Sequence, residues 1–171
     1  MSAGRTVSEI MFSRRTGRSS EWAPPSIRVG GANCHVIGNL PCESGFAAML
    51  GAFKPSGGIA RGDDVASLLE QRGRGDFVTL ARLIVSAQLL GFEWQHTFWI
   101  PMFQLDAGEY SIKPGPRQVM AELGGRDGWT RARWFASPNS WLHGGTPVDL
   151  LDSRLPDVLS AARSERARAR P

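Results

Sequence analysis

The sequence predicts a mostly α-helical (α+β) fold, a compact helical domain with one small β-hairpin and a flexible basic N-terminal arm. The chain has 171 residues, of which 42% are hydrophobic, and this is enough to build the core of one domain. In most segments, apolar residues recur every three or four positions, which is the spacing of an amphipathic helix. Only between Phe92 and Ile100 do they alternate, which is the spacing of strands.

The part of the chain before the hairpin divides into an arm and a helical region. Residues 1–43 are rich in Ser, Arg, Gly and Pro and show no apolar periodicity, so we predict a flexible basic arm followed by an irregular segment. Residues 44–90 predict three helices, at 44–53, 63–72 and 77–90. The third has the broadest apolar face, and we expect it to lie at the centre of the core.

The alternating segment predicts two short strands. Phe92 and Trp94 indicate the first strand, and Phe98 and Ile100 indicate the second. Pro101 has no N–H group to donate, so it confines the second strand to a sheet edge or ends it. Beyond the hairpin the helical spacing returns and predicts four more helices, at 114–123, at 127–136, at 147–151 and from about 156 onwards.

The net charge of +4 is distributed unevenly. Residues 1–30 and residues 154–171 each carry +3, whereas residues 31–153 carry −2. A body of that charge is a poor electrostatic match to a phosphate backbone, so the basic character belongs to the two ends. No apolar run approaches the roughly 18 residues of a membrane span, and we expect a cytoplasmic protein that does not enter a membrane.

Two patterns that could contact nucleic acid are better explained otherwise. A helix-turn-helix over 44–72 would have a turn longer than the usual 3–4 residues, and Asp63 and Asp64 lie at the helix end that would approach DNA. We therefore predict at most a degenerate relic of that motif. The aromatic run at 92–103 lacks interleaved Arg and Lys, so we predict that it packs in the core.

The sequence contains the ingredients of catalysis but no recognisable catalytic arrangement. Ser137, His143 and Asp149 could supply a nucleophile, a base and an orienting carboxylate, but no nucleophile-elbow glycines surround the serine. The two cysteines lack the paired ligands at short spacing that zinc requires. We predict no catalytic, cofactor-binding or metal-binding residues, and a protein that acts by binding and not as an enzyme.

The most distinctive segment runs from Trp134 to Asp152 and reads WFASPNSWLHGGTPVDLLD. It indicates a helix end, a Pro-Asn turn, a Trp-Leu anchor, a Gly-Gly bend and a short helix. Thr146 provides a capping hydroxyl for that helix, Pro147 its first position and Asp149 a carboxylate at its third position. We expect these residues to matter first for folding, as a tightly specified corner of the structure.

This segment resembles the C-terminal toxin-binding domain of the Xre/MbcA/ParS-type antitoxins, where a helix ends in a W…xPN…L.GG.TP.DLL pattern. The stretch from Trp99 to Asp106 resembles an element that precedes this pattern in many relatives, and the resemblance covers about residues 78–163. The pattern is carried here by Trp134, Pro138, Asn139, Leu142, Gly144, Gly145, Thr146, Pro147, Asp149, Leu150 and Leu151.

The resemblance implies an antitoxin that binds and neutralises a cognate toxin protein, such as a RES-type toxin that degrades NAD. The toxin-binding-like domain would span 91–165, and a basic tail at 166–171 would reach toward the toxin's active site. Arg163 and Arg166 are the candidate toxin contacts on this side, because guanidinium groups suit acidic or phosphate-bearing sites. A DNA-binding autoregulator that uses the basic termini is the alternative function, and a homodimer stays open as a further partner.

Overall fold

The computed structural model describes residues 42–168, and the predicted arm up to residue 41 and the tail beyond residue 168 lie outside them. Within these residues the fold class is confirmed, because seven α-helices accompany one small antiparallel sheet. The helices are α1 (Glu43–Phe53), α2 (Gly62–Gln71), α3 (Phe77–Val85), α4 (Pro114–Leu123), α5 (Gly128–Ala136), α6 (Pro147–Leu150) and α7 (Leu155–Arg168). Short 3-10 helices are formed by Lys54–Ser56, Met102–Gln104 and Ser140–Leu142.

The sheet contains the predicted hairpin and one strand more. Strands β2 (Phe92–Trp94) and β3 (Thr97–Pro101) form the hairpin, and β1 (Ile59–Arg61) pairs antiparallel with the other side of β3. The sheet order is therefore β1-β3-β2. Strand β1 was not predicted, because its three residues are too few to show an alternating pattern.

Pro101 ends β3 without confining it to an edge. Of the two predicted alternatives, the end of the strand at Pro101 is confirmed and the edge position is not, because β3 is the central strand of the sheet. Pro101 is the last residue of β3 and lies opposite Ile59, at the end of the ladder between β1 and β3. The N–H group that proline lacks is therefore not needed to continue the sheet. The next N–H group, that of Met102, donates to the Gly58 carbonyl at 2.9 Å.

The core is rich in stacked aromatic side chains. Phe103 lies between Phe53 of α1 and Phe135 of α5, with ring centroids 5.3 and 4.9 Å away. At the sheet, Trp94 stacks on Trp129 of α5 with a centroid distance of 5.5 Å. Phe92 and Phe103, at the two ends of the aromatic run, are buried, so its prediction as a core element is confirmed there.

Helix α3 does not lie at the centre of the core, and that expectation is wrong. It ends at Val85, and Leu80 is its one fully buried side chain. Ala87 then adopts a left-handed conformation with φ of 54°, which turns the chain away from the helical path. Leu90 reaches the core from the irregular segment that follows instead of from the helix.

A buried glutamine anchors that segment. The Gln104 side chain is fully buried; its amide oxygen accepts from the Leu90 N–H at 2.7 Å and its amide nitrogen donates to the Leu90 carbonyl at 2.7 Å. The same nitrogen donates to the Pro101 carbonyl at 2.9 Å. The side chain thus imitates a strand neighbour and satisfies backbone groups that water cannot reach.

Candidate protein-binding corner

The segment that carries the family pattern forms a closed loop between α5 and α6. The Asn139 N–H donates to the Gly145 carbonyl, and the Gly144 N–H donates back to the Asn139 carbonyl, each at 3.0 Å. Inside this loop the Gly145 N–H donates to the Leu142 carbonyl at 3.0 Å. We call residues 134–151 the corner. Its backbone groups are paired locally, as a rigid turn requires.

The Gly-Gly bend has a steric cause at each glycine. Gly144 follows His143, and the two residues have φ of 85° and 55°, both in the left-handed region that favours glycine. A Cβ on Gly145 would lie 2.9 Å from a Leu150 methyl group and 3.2 Å from the Leu142 carbonyl oxygen. The first glycine supplies the turn and the second makes room for the packing of α6.

Helix α6 begins with the predicted residues but not with the predicted hydrogen bond. Thr146 is the N-cap residue and Pro147 occupies the first turn. The Thr146 hydroxyl donates to the Asp149 carboxylate instead of accepting from a backbone N–H. The pair still links the N-cap to the first turn, and the carboxylate sits at the positive end of the helix.

The burial of the predicted site residues separates those that build the corner from those that a partner can reach. Trp134, Leu142, Pro147 and Leu151 are buried, and Asn139, Gly145 and Leu150 are partly buried. Pro138, Asp149, Arg163 and Arg166 are exposed. With Thr146 partly buried and Gly144 exposed, eight of the eleven pattern residues are buried or partly buried, which agrees with a primary role in folding.

Trp134 occupies the base of the corner. Its ring meets that of Phe135 edge-on with centroids 5.2 Å apart. Its indole N–H is buried and finds no hydrogen-bond partner among residues 42–168, and the same holds for the indole N–H of Trp129. Each of these groups carries a desolvation cost that the surrounding aromatic packing has to offset.

Trp141 is the residue of the corner that sequence reasoning missed. The expected Trp-Leu anchor divides into two roles, because Leu142 is buried whereas Trp141 is 54% exposed. The Asn139 side-chain oxygen accepts from the Trp141 N–H at 2.9 Å and so fixes the 3-10 turn that presents the indole. The sequence did contain a signal for this exposure. Trp141 and Leu142 are neighbours in a 3-10 helix of three residues, so their side chains point in different directions and both cannot be buried.

Helix α7 packs on the corner and on α4, and it places the candidate arginines differently. Arg163 is ion-paired with Glu122 of α4, with its Nε and Nη2 each 3.0 Å from one carboxylate oxygen. Arg166 lies beside Gly124 and makes no ion pair or hydrogen bond with the described residues. Of the two predicted contacts, Arg166 is the one whose charge is available to a partner.

A second ion pair holds the basic end of α7 in place. Arg126, before α5, lies 3.3 Å from the Glu165 carboxylate and donates to the Glu165 carbonyl at 3.0 Å. The helix continues to Arg168, so residues 166–168 of the predicted tail form its last turn. The basic end is thus an ordered helix terminus that is fastened to the body.

The remaining candidate chemistry is not assembled in the described part of the chain. Within residues 42–168, no hydrogen bond joins Ser137, His143 and Asp149. The Asp149 carboxylate instead accepts a hydrogen bond from the Thr146 hydroxyl. The same residues contain no group of three His, Cys, Asp or Glu side chains that could hold a metal ion. Of the two cysteines, Cys34 lies outside the described residues and Cys42 is the first of them.

The region predicted as a degenerate helix-turn-helix holds two helices with more than a turn between them. Helices α1 and α2 are separated by the 3-10 helix Lys54–Ser56 and by strand β1. Asp63 and Asp64 occupy the first turn of α2, as the sequence suggested. Among residues 42–168, no helix has the length and apolar character needed to cross a membrane.

Comparison with known proteins adds no relative. Scans against protein-family models, curated proteins and solved structures each found no match to this chain. The likeness to the antitoxin domain therefore rests on the residues of the corner, and it stays a prediction.

Proposed function

We propose that this chain is an antitoxin-like protein that binds and neutralises a cognate toxin protein through the corner and the basic end of α7. The observation that carries this proposal is the presentation of Trp141. The surrounding pattern residues hold the turn rigid, and the indole is left half in solvent. Exposed aromatic side chains on rigid turns supply large contact area at a low entropic cost, and tryptophan dominates many binding hot spots.

The free charge at the end of α7 gives the proposed partner surface its second part. Arg166 has no acidic partner within the described residues, and Arg168 is exposed in the same last turn. A guanidinium in this state can pair with a carboxylate of a partner or occupy a site that binds phosphate groups. A toxin that degrades NAD would have such a site.

The proposal is tested by co-expressing the chain with the protein encoded beside its gene and measuring growth and co-purification. Trp141→Ala removes the exposed indole without touching the core, so we expect about tenfold weaker binding or more with unchanged thermal stability. Arg166→Glu reverses the free charge and should weaken neutralisation in the same assay.

Two controls separate this surface from a general loss of exposed groups. Leu50→Ala removes a side chain that is 42% exposed on α1, and Arg61→Glu reverses an exposed charge on β1. Both should bind like the original chain. If Trp141→Ala and Arg166→Glu also bind and neutralise normally, or if the neighbouring protein neither binds nor impairs growth, the proposal is wrong.

A further inference from the structure

Two guanidinium groups approach the turn between α4 and α5, and neither has a carboxylate in contact with it. On α5, the Arg131 Nη2 donates to the Gly124 carbonyl at 2.6 Å. On α7, the Arg166 Nε lies so near that a Cβ on Gly124 would be 3.6 Å from it. Among residues 42–168, no carboxylate oxygen lies within 4.0 Å of either guanidinium. Two positive charges are therefore held beside one partly exposed glycine without a paired anion.

Arg131 is incompletely satisfied at this position. Its side chain is partly buried, and its Nε–H group is buried without a hydrogen-bond partner in the described residues. Partial burial lowers the pKa of Arg131 against the opposing effect of the Asp127 carboxylate, yet a guanidinium keeps its charge at neutral pH. The Gly124 carbonyl is neutral and cancels none of that charge. Because burying a cation without an anion is costly, an anion bound at this turn would stabilise the arrangement.

The acidic groups beside the turn are already engaged by other donors. Asp127 is held at the start of α5 by the N–H and hydroxyl groups of Thr130. The others form ion pairs, Glu165 with Arg126 and Glu122 with Arg163. These groups supply no counter-ion to the two guanidinium groups, so a counter-ion would have to bind from outside the described residues.

The turn has room for such a ligand. Gly125 is exposed, and a Cβ on it would meet no heavy atom within 4 Å. Its backbone N–H donates to no group in the described part of the chain. The turn therefore combines an open surface, an unused backbone donor and two cationic side chains, and these are the donors that bind oxyanions in proteins.

We propose that Arg131, Arg166 and the turn at Gly124 and Gly125 bind the phosphate group of a small ligand. A phosphate monoester carries a charge of about −1.5 to −2 at pH 7 and has three acceptor oxygens. It can therefore neutralise both guanidinium groups, whereas a single carboxylate would leave one of them unpaired. This site goes beyond the toxin-binding proposal and shares only Arg166 with it.

The test is an NMR titration of the ¹⁵N-labelled full chain with inorganic phosphate, compared with sodium chloride and sodium acetate at the same ionic strength. We expect saturable shifts of the Gly124 and Gly125 amides and of the Arg131 Nε–H, with phosphate alone. Glycerol phosphate should cause the same shifts and glycerol none. Tighter binding of glycerol phosphate would identify a phosphate ester as the ligand, and equal or weaker binding would identify the free anion.

Matched variants assign the response to the two arginines. Arg131→Gln and Arg166→Gln should each weaken phosphate binding about threefold or more, and Arg131→Lys, which keeps the charge without the fork, should recover part of the loss. Arg61→Gln removes an exposed arginine of β1 and is the control that should bind normally. Trp141→Ala, which probes toxin binding, should also bind phosphate normally, so the two proposals fail separately.

Three results would overturn the phosphate site. The first is the absence of saturable shifts at the turn in the full chain, as expected if a carboxylate of residues 1–41 occupies it. The second is an equal response to acetate. The third is normal phosphate binding by folded Arg131→Gln and Arg166→Gln chains, with folding checked by thermal unfolding.

Discussion

Helices α3 and α5 have the same length and the same start, yet they have opposite surroundings. Each has nine residues and is capped by an aspartate, Asp76 or Asp127, that accepts from the N–H of the threonine three residues later. The hydroxyl of each threonine donates to the same carboxylate. Helix α5 nonetheless buries four side chains, whereas α3 fully buries one.

The contrast teaches that the signals that start a helix are separate from those that bury it. A cap acts within one turn, and both helices have it. Burial depends on what other segments bring to the helix: α5 receives the aromatic side chains of β2 and of the 3-10 helix at Met102–Gln104. The outer face of α3 receives none from the described residues. The sharpest ways to probe this contrast are matched substitutions in the two helices.

The largest expected effect is the loss of an aromatic side chain from α5. Phe135 is fully buried against Phe103, so Phe135→Ala should lower the free energy of unfolding by about 3–5 kcal/mol. Phe77→Ala at the start of α3 should lower the free energy of unfolding by well under about 1 kcal/mol in a monomer, because most of that ring is already in water. Urea unfolding of the two variants at low protein concentration measures both. Equal losses would mean that the exposed side chains of α3, Phe77, Val78 and Val85, are covered within the chain.

A smaller effect should follow from filling the close contact between α5 and the sheet. A Cβ on Gly128 would collide with the Gly91 carbonyl oxygen, so the helix start would have to move away from the backbone before β2. We expect Gly128→Ala to cost about 1–3 kcal/mol. Gly51→Ala on α1, where nothing lies within 4 Å, should instead stabilise the chain by about 0.5–1 kcal/mol. A chain that tolerates Gly128→Ala as well as Gly51→Ala would contradict the close approach.

The smallest effect concerns the caps, and it depends on pH. Partial burial raises the pKa of Asp127, but the hydrogen bonds from the Thr130 side chain and N–H outweigh it, and the pKa is lowered overall. The folded state therefore prefers the carboxylate, so its contribution is complete above the unfolded pKa of about 3.9 and is lost as the pH falls through the folded value.

The matching measurement is thermal unfolding from neutral to acid pH. Asp127→Ala should cost about 1 kcal/mol at neutral pH through the lost cap. Asp127→Asn should keep most of the cap and lose the part of the acid dependence that Asp127 contributes. The pKa of Asp76 is lowered by the hydrogen bonds from the Thr79 N–H and hydroxyl, so the same direction is expected there. An Asp127→Asn variant with the acid profile of the original chain would show that the aspartate caps α5 without any preference for its charged form.

The parts of the fold that were predictable from the sequence are those with local causes. The caps of α5 and α6, the proline at the start of α4 and the glycines after α4 lie within a few residues of the helix ends that they determine. The hairpin followed from its alternating apolar residues. The buried half of the corner was predictable in the same way, because its hydrogen bonds connect residues at most six positions apart.

The remaining features depend on residues far apart in the chain. Strand β1 is defined by its partner some forty residues later and has no pattern of its own. Gln104 is buried because Leu90, fourteen residues before it, presents two unpaired backbone groups. Arg163 is ion-paired with Glu122, whereas Arg166 lies beside Gly124, because of the way α7 packs on α4. The spacing of apolar residues in the sequence does not predict this packing.

By itself, the amino-acid sequence determined where most helices begin, which segment forms the hairpin and which residues close the corner. Caps, turns and apolar periods depend on residues within one or two helical turns of each other. They can therefore be recognised in the sequence without knowing which segments pack together. Only the tertiary structure decided that Trp141 faces solvent while Leu142 is buried. It also decided that Phe77, Val78 and Val85 of α3 lie outside the core. The physical reason is that a side chain is buried only where a second surface packs against it, and that surface comes from a distant part of the chain.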